Sequence, residues 1–133
     1  MSVLRSLRVL VVEDDADTRE MYVLFLQTEH IDVRAVSNAD EAFTLAIEWK
    51  PDVVITDFLL RGGANGAELC KRLHADDRTR HIPTLVVTGS TRKQDAEAIL
   101  GAGCADIRLK PYLLEALVAD VRRLASSKSS AVA

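Results

Sequence analysis

Hydrophobic and polar positions follow two rhythms along this chain. Short, nearly continuous apolar runs rich in β-branched residues read as strands buried on both faces. They are Val9 to Val12, Ile31 to Val36, Val53 to Ile55 running into Asp57, Pro83 to Thr88, and Ile107 to Leu109. Between them, apolar residues recur at helical spacing. This predicts helices over Ala16–Gln27, Ala39–Trp49, Ala67–His74, Lys93–Ala102 and Tyr112–Leu124. Ser37 and Asn38 are both candidate caps for the second helix. Pro51 ends that helix, and Gly103 closes the fourth. "GGANG", with Gly62, Gly63 and Gly66, reads as a loop. Strand and helix alternate five times, which means a parallel sheet with helices on both faces.

The chain has 133 residues, 48% of them hydrophobic and 28% charged, which suits one globular domain with a core of its own. The domain is expected over residues 1–124, with the small, polar segment 125–133 a disordered tail. A net charge of −3 argues against direct nucleic-acid binding. No apolar run approaches membrane-spanning length, and the first residues do not read as a signal peptide, so the cytoplasm is the default compartment. Cys70 and Cys104 supply neither a disulfide framework nor metal-ligand spacing and read as buried free thiols.

The chemistry sits at the strand ends. In open parallel sheets, ligands bind outside the carboxyl ends of the strands, where the strand order reverses. The first strand delivers Glu13 and Asp14 there, the third Asp57, the fourth Thr88, and the fifth Lys110 followed by Pro111. Crowded carboxylates repel unless a cation lies between them. Mg²⁺, a hard ion that takes oxygen ligands, waters and phosphate, suits such a cluster. Asp57 could then act as a nucleophile, since aspartate forms acyl phosphates, with Lys110 neutralising charge and Thr88 bonding an oxygen of the transferred group. The plainer reading is that acids after a strand cap the next helix. Asp15 and Asp17 suit that role, and for Glu13 or Asp14 taken singly capping and ligation both stay open.

Taken together, "VLVVEDD", "PDVVITD", "PTLVVTGS" and "AGCADIRLKP" resemble, in order, the motifs of the receiver domain of bacterial two-component response regulators. The resemblance runs from about Leu7 to Leu124. It implies a flavodoxin-like, doubly wound α/β fold with a five-stranded parallel sheet of order 2-1-3-4-5. It implies Asp57 as phosphoacceptor, Thr88 as switch hydroxyl and Lys110 as phosphate-contacting cation. Mg²⁺ would be held by Glu13, Asp14, Asp57 and the backbone carbonyl of Leu59, and a cis peptide would precede Pro111. A sensor histidine kinase or phosphotransfer protein would supply the phosphoryl group, and a downstream protein would receive the signal.

Three positions depart from the family pattern. Ile107 stands where an aromatic residue usually reports phosphorylation. Arg61 replaces a common proline four residues after Asp57, in a glycine-rich loop, and is placed to reach toward acids. Asp120 replaces an arginine used in one kind of dimer contact, so a homodimer, if formed, would need another bridge. Two other functions compete. An aspartyl-phosphate hydrolase would carry a second acid two residues after the nucleophile, where this chain has Leu59. A constitutive interaction domain would not need all five strand-end groups.

Overall fold

The computed structural model describes residues 6–132, with side chains placed through residue 126. Its elements alternate as the periodicity predicts: β1 (Arg8–Val12), α1 (Ala16–Thr28), β2 (Asp32–Val36), α2 (Ala39–Trp49), β3 (Val53–Asp57), α3 (Gly66–Ala75), β4 (Thr84–Thr88), α4 (Lys93–Gly101), β5 (Asp106–Leu109) and α5 (Leu114–Val132). All strand pairs are parallel, in the order β2-β1-β3-β4-β5. From β1 the chain steps to one edge of the sheet, then returns to β3 on the other side. That reversal opens a crevice above the carboxyl ends of β1 and β3.

Alternation along each strand sorts the core into layers. Val9 and Val11 of β1, Val53 and Ile55 of β3, and Leu85 and Val87 of β4 meet Tyr22 and Leu26 of α1 and Leu117, Val118 and Val121 of α5. On the opposite face Leu10, Val12 and Val54 meet Ala42, Ala46 and Trp49 of α2 and Leu69 and Leu73 of α3. A third cluster joins Phe58, Ala67, Val86 and Ile99, with half-buried Ile107 packed against it. Fully buried on both faces, the central strands could not carry the alternating polar residues of a half-exposed sheet. Trp49, at the end of α2, is buried and stacks with the guanidinium groups of Arg8 and Arg34.

Two expectations need correction. The last helix does not stop at Leu124: its backbone runs to Val132. No glycine or proline follows Pro111 to stop it, and Leu124 and Ala125 are both buried in the core. The free thiols expected at Cys70 and Cys104 are not found either. The two sulfurs face each other as a disulfide, with Cα atoms 5.8 Å apart. Residues 34 apart in sequence meet because α3 packs beside α4 and the turn that follows it.

Candidate functional site

The acidic run that ends β1 is divided by the fold. Asp15 caps α1: its carboxylate accepts from the Thr18 amide at 2.9 Å and from the Thr18 hydroxyl at 2.7 Å. Those bonds hold its pKa below the ordinary value. Glu13 and Asp14 are thereby left to the crevice. With Asp57 from the end of β3 they place one carboxylate oxygen each within 4.8 Å of one another.

Each of the three carboxyl groups is covered differently. Asp57 Oδ1 lies 2.7 Å from Lys110 Nζ. Burial pushes the Lys110 ammonium down, but the bond to Asp57 and the charges of Asp57 and Glu13 outweigh it, so its pKa stands above the usual value. Asp14 Oδ2 accepts the Arg61 backbone N–H at 2.7 Å and lies 3.7 Å from Arg61 Nε. Glu13 is only 3% exposed, and its Oε2 has no hydrogen-bond partner. Burial first, then the hydrogen bond and charge of Asp57, push its pKa up to about 7. Arg19 supports the same turn by donating to the Glu13 carbonyl at 2.8 Å. That helix residue carried no signal in the sequence, because its contact depends on how α1 leaves β1.

The other strand ends close the crevice. Register pairs Asp57 with Val87 and Thr88 with Leu109, so the ends of β3, β4 and β5 lie side by side. The buried Thr88 hydroxyl accepts the Ser90 amide at 3.0 Å. The Lys110 amide donates to the Thr88 carbonyl at 2.8 Å, and a cis peptide joins Lys110 to Pro111, as expected. Leu59 follows Phe58 out of the sheet and is 72% exposed. Asp120 turns inward. It holds Arg108 through two bonds of 3.0 and 3.1 Å, Arg123 at 3.1 Å, and the Tyr112 hydroxyl. Its charge is thus spent within the chain, tying β5 to α5.

The donor set fits a hard divalent cation, since three carboxyl groups converge and one buried oxygen has no partner. Without metal, the raised Glu13 pKa sets a pH dependence. Its folded-state pKa lies above the unfolded one, so between about 4.5 and about 7 the folded chain holds a proton that the unfolded chain has released. Folding stability therefore falls as pH rises through that window. Urea midpoints in a chelating buffer at about pH 5 and about pH 8 are expected to show a loss of roughly 3 kcal/mol from this group. Glu13→Gln should flatten the profile and be the more stable form at the higher pH. An unchanged profile in the variant would remove Glu13 as the cause.

Fold and site together define a doubly wound α/β protein with an acid-lined crevice faced by one lysine. The sequence pattern of the response regulator receiver domain matches residues 9–122, and the chain belongs to that family. Among curated relatives, the DNA-binding response regulator MtrA of Mycobacterium tuberculosis is 36% identical over 115 residues, which are 86% of this chain and 49% of MtrA. The phosphate regulon transcriptional regulatory protein PhoB of Pseudomonas aeruginosa is 30% identical over 114 residues, 86% of this chain and 49% of PhoB. The chain spans about half the length of the curated relatives it matches. Among solved structures, a response regulator from Chloroflexus aurantiacus superposes with a TM-score of 0.84 at 30% identity, covering 92% of this chain and 99% of that one. The receiver domain of sensor histidine kinase PA1611 from Pseudomonas aeruginosa shares the fold, with a TM-score of 0.83 at 22% identity over 92% of this chain and 99% of that one. That structure has a magnesium ion coordinated in its active site cleft.

Proposed function

We propose that this chain is a signalling switch that accepts a phosphoryl group on Asp57. The observation that carries this reading is the convergence of Asp57 with Lys110 at 2.7 Å and with two further carboxyl groups in one crevice. An isolated ion pair would not need the two extra acids, and their mutual repulsion calls for a cation. Asp14, Asp57 and the Leu59 carbonyl would hold Mg²⁺, with Glu13 acting through water; a magnesium-bearing cleft in a protein of the same fold supports this. When bound, Mg²⁺ supplies charge neutralisation for the oxygens of the incoming phosphate.

The residues of the chain do the rest. An Asp57 carboxylate oxygen attacks phosphorus, and the bond from phosphorus to the donor, a kinase phosphohistidine, breaks. Lys110 stays charged and follows the phosphate oxygens, releasing the Asp57 carboxylate it holds beforehand. The Thr88 hydroxyl keeps its own proton while accepting from Ser90, so it can donate to a phosphate oxygen once the loop shifts. The exposed side chain of Leu59 offers no acid-base group, which favours a switch over a metabolic phosphatase. The phosphoryl source would be a sensor histidine kinase or phosphotransfer protein in the cytoplasm. Output would be a protein contact on the face of α4, β5 and α5, where Leu100 and Leu109 are both 54% exposed. Among the described residues no helix is long and apolar enough to cross a membrane.

Intact-protein mass spectrometry after incubation with phosphoramidate or acetyl phosphate tests this reading. Addition of one phosphoryl group in Mg²⁺, and none in a chelator, is the expected result. Labelling at the same rate in both conditions would overturn it.

A further inference from the structure

We propose that Arg61 is a built-in counter-ion that competes with the divalent cation for Asp14, so that metal entry requires the loop after β3 to let go. The proposal rests on the reading of the acidic crevice as a Mg²⁺ site. Arg61 makes two contacts with the same Asp14 oxygen: its backbone N–H at 2.7 Å and its Nε at 3.7 Å. The main-chain bond ties the loop to Asp14, and the longer side-chain contact sets the guanidinium charge beside the carboxylate. The Asp14 side chain is 15% exposed, so its charge is only partly quenched by water. The Arg61 side chain is 80% exposed and can swing into solvent at little cost.

The chain beyond Arg61 has room to shift. Gly62 and Gly63 both have positive φ, at 79° and 142°, and a Cβ at either would meet nothing within 4 Å. A cavity lined by Arg61, Gly62, Gly63 and Ala64 on one side and Asn38 and Glu41 of the α2 start on the other gives the loop room to shift. Beyond it, Asn65 and Glu68 form a reciprocal capping box that anchors the start of α3. The segment that would have to shift is therefore short, bounded by Leu60, buried in the core, and by Asn65.

Each crevice acid has its own cover. Lys110 faces Asp57, Arg61 faces Asp14, and Glu13 is enclosed. A divalent ion needs lone pairs on Asp14 and gains from its full negative charge. Both are reduced while Arg61 stays. Metal binding and release of the loop are then one equilibrium, and each favours the other.

Calorimetric titration of the full chain with MgCl₂ tests this, using three variants of Arg61 and Asp14→Asn as control. Arg61→Gln removes the charge and keeps the N–H; it is expected to tighten Mg²⁺ binding by about threefold. Arg61→Pro removes both and is expected to tighten it by about tenfold. Arg61→Lys keeps a cation and should stay closer to wild type than Arg61→Gln. Amide resonances of Gly62 and Gly63 should move on metal addition in the wild type and move less in Arg61→Pro. Affinities of Arg61→Gln and Arg61→Pro within twofold of wild type would overturn the competition. Should wild type bind no Mg²⁺ and behave like Asp14→Asn, the metal site itself falls, and this inference with it.

Discussion

Asp57→Asn is expected to take up no phosphoryl group from phosphoramidate in Mg²⁺, a complete loss by intact mass. The amide has no anionic oxygen to attack phosphorus, although it nearly preserves the shape of the side chain. The neighbouring acids are poor substitutes. Glu13 is only 3% exposed, which hinders a phosphodonor from reaching its carboxylate. Asp14 would be taken up by the Mg²⁺ that the reaction requires. The variant should also free Lys110 from its 2.7 Å partner and remove the charge and hydrogen bond that help raise the Glu13 pKa. Its stability in chelator should therefore depend less on pH than that of wild type. Uptake at the wild-type rate would show that another residue is the acceptor.

The second large effect is expected at Gly66, the first residue of α3. A Cβ there would lie 2.4 Å from the Asp57 carbonyl oxygen and 3.1 Å from Phe58 Cα, both backbone atoms. The close approach is fixed by the Gly66 amide, which donates to the Phe58 carbonyl at 2.7 Å. Backbone cannot rotate aside as a side chain would, so α3 and the end of β3 must separate. Alanine ordinarily favours a helix over glycine by about 1 kcal/mol. Overpacking against fixed atoms costs about 3 kcal/mol and reverses the sign. Gly66→Ala should thus unfold at distinctly lower urea concentration and bind Mg²⁺ more weakly, because the shift passes straight to Asp57. Gly101→Ala in α4 is the control, since nothing lies within 4 Å of its Cβ position. Equal stabilities of the two variants would mean that the tight approach at Gly66 carries no energetic weight.

Most of the architecture was legible in the sequence because it is written in local periodicity. Apolar runs of strand length, separated by segments of helical spacing, leave little but a parallel doubly wound sheet. Glu13, Asp14, Asp57, Thr88 and Lys110 fall at strand ends in the sequence, and the fold brings the ends of β1, β3, β4 and β5 side by side. The order of the strands, by contrast, came from the family resemblance, and the structure has that same order. Where local cues gave out, expectation and structure part. A change in composition after Leu124 predicts the end of the last helix, yet a packed turn at Leu124 and Ala125 carries the helix onward. Neither cysteine shows its partner by spacing.

By itself, then, the sequence determined the element order, the two-faced burial of the central strands and the chemical identity of the strand-end groups. These depend on residues within a few positions of one another, where backbone geometry alone relates sequence to space. Only the tertiary structure decided how closely Glu13, Asp14 and Asp57 approach and what covers each of them. It alone set Arg61 on Asp14 across 47 residues, joined Cys70 to Cys104, and turned Asp120 inward onto Arg108, Arg123 and Tyr112. Such pairings depend on strand register and on the path of a loop, and both are fixed by packing the whole core at once, which no local pattern encodes.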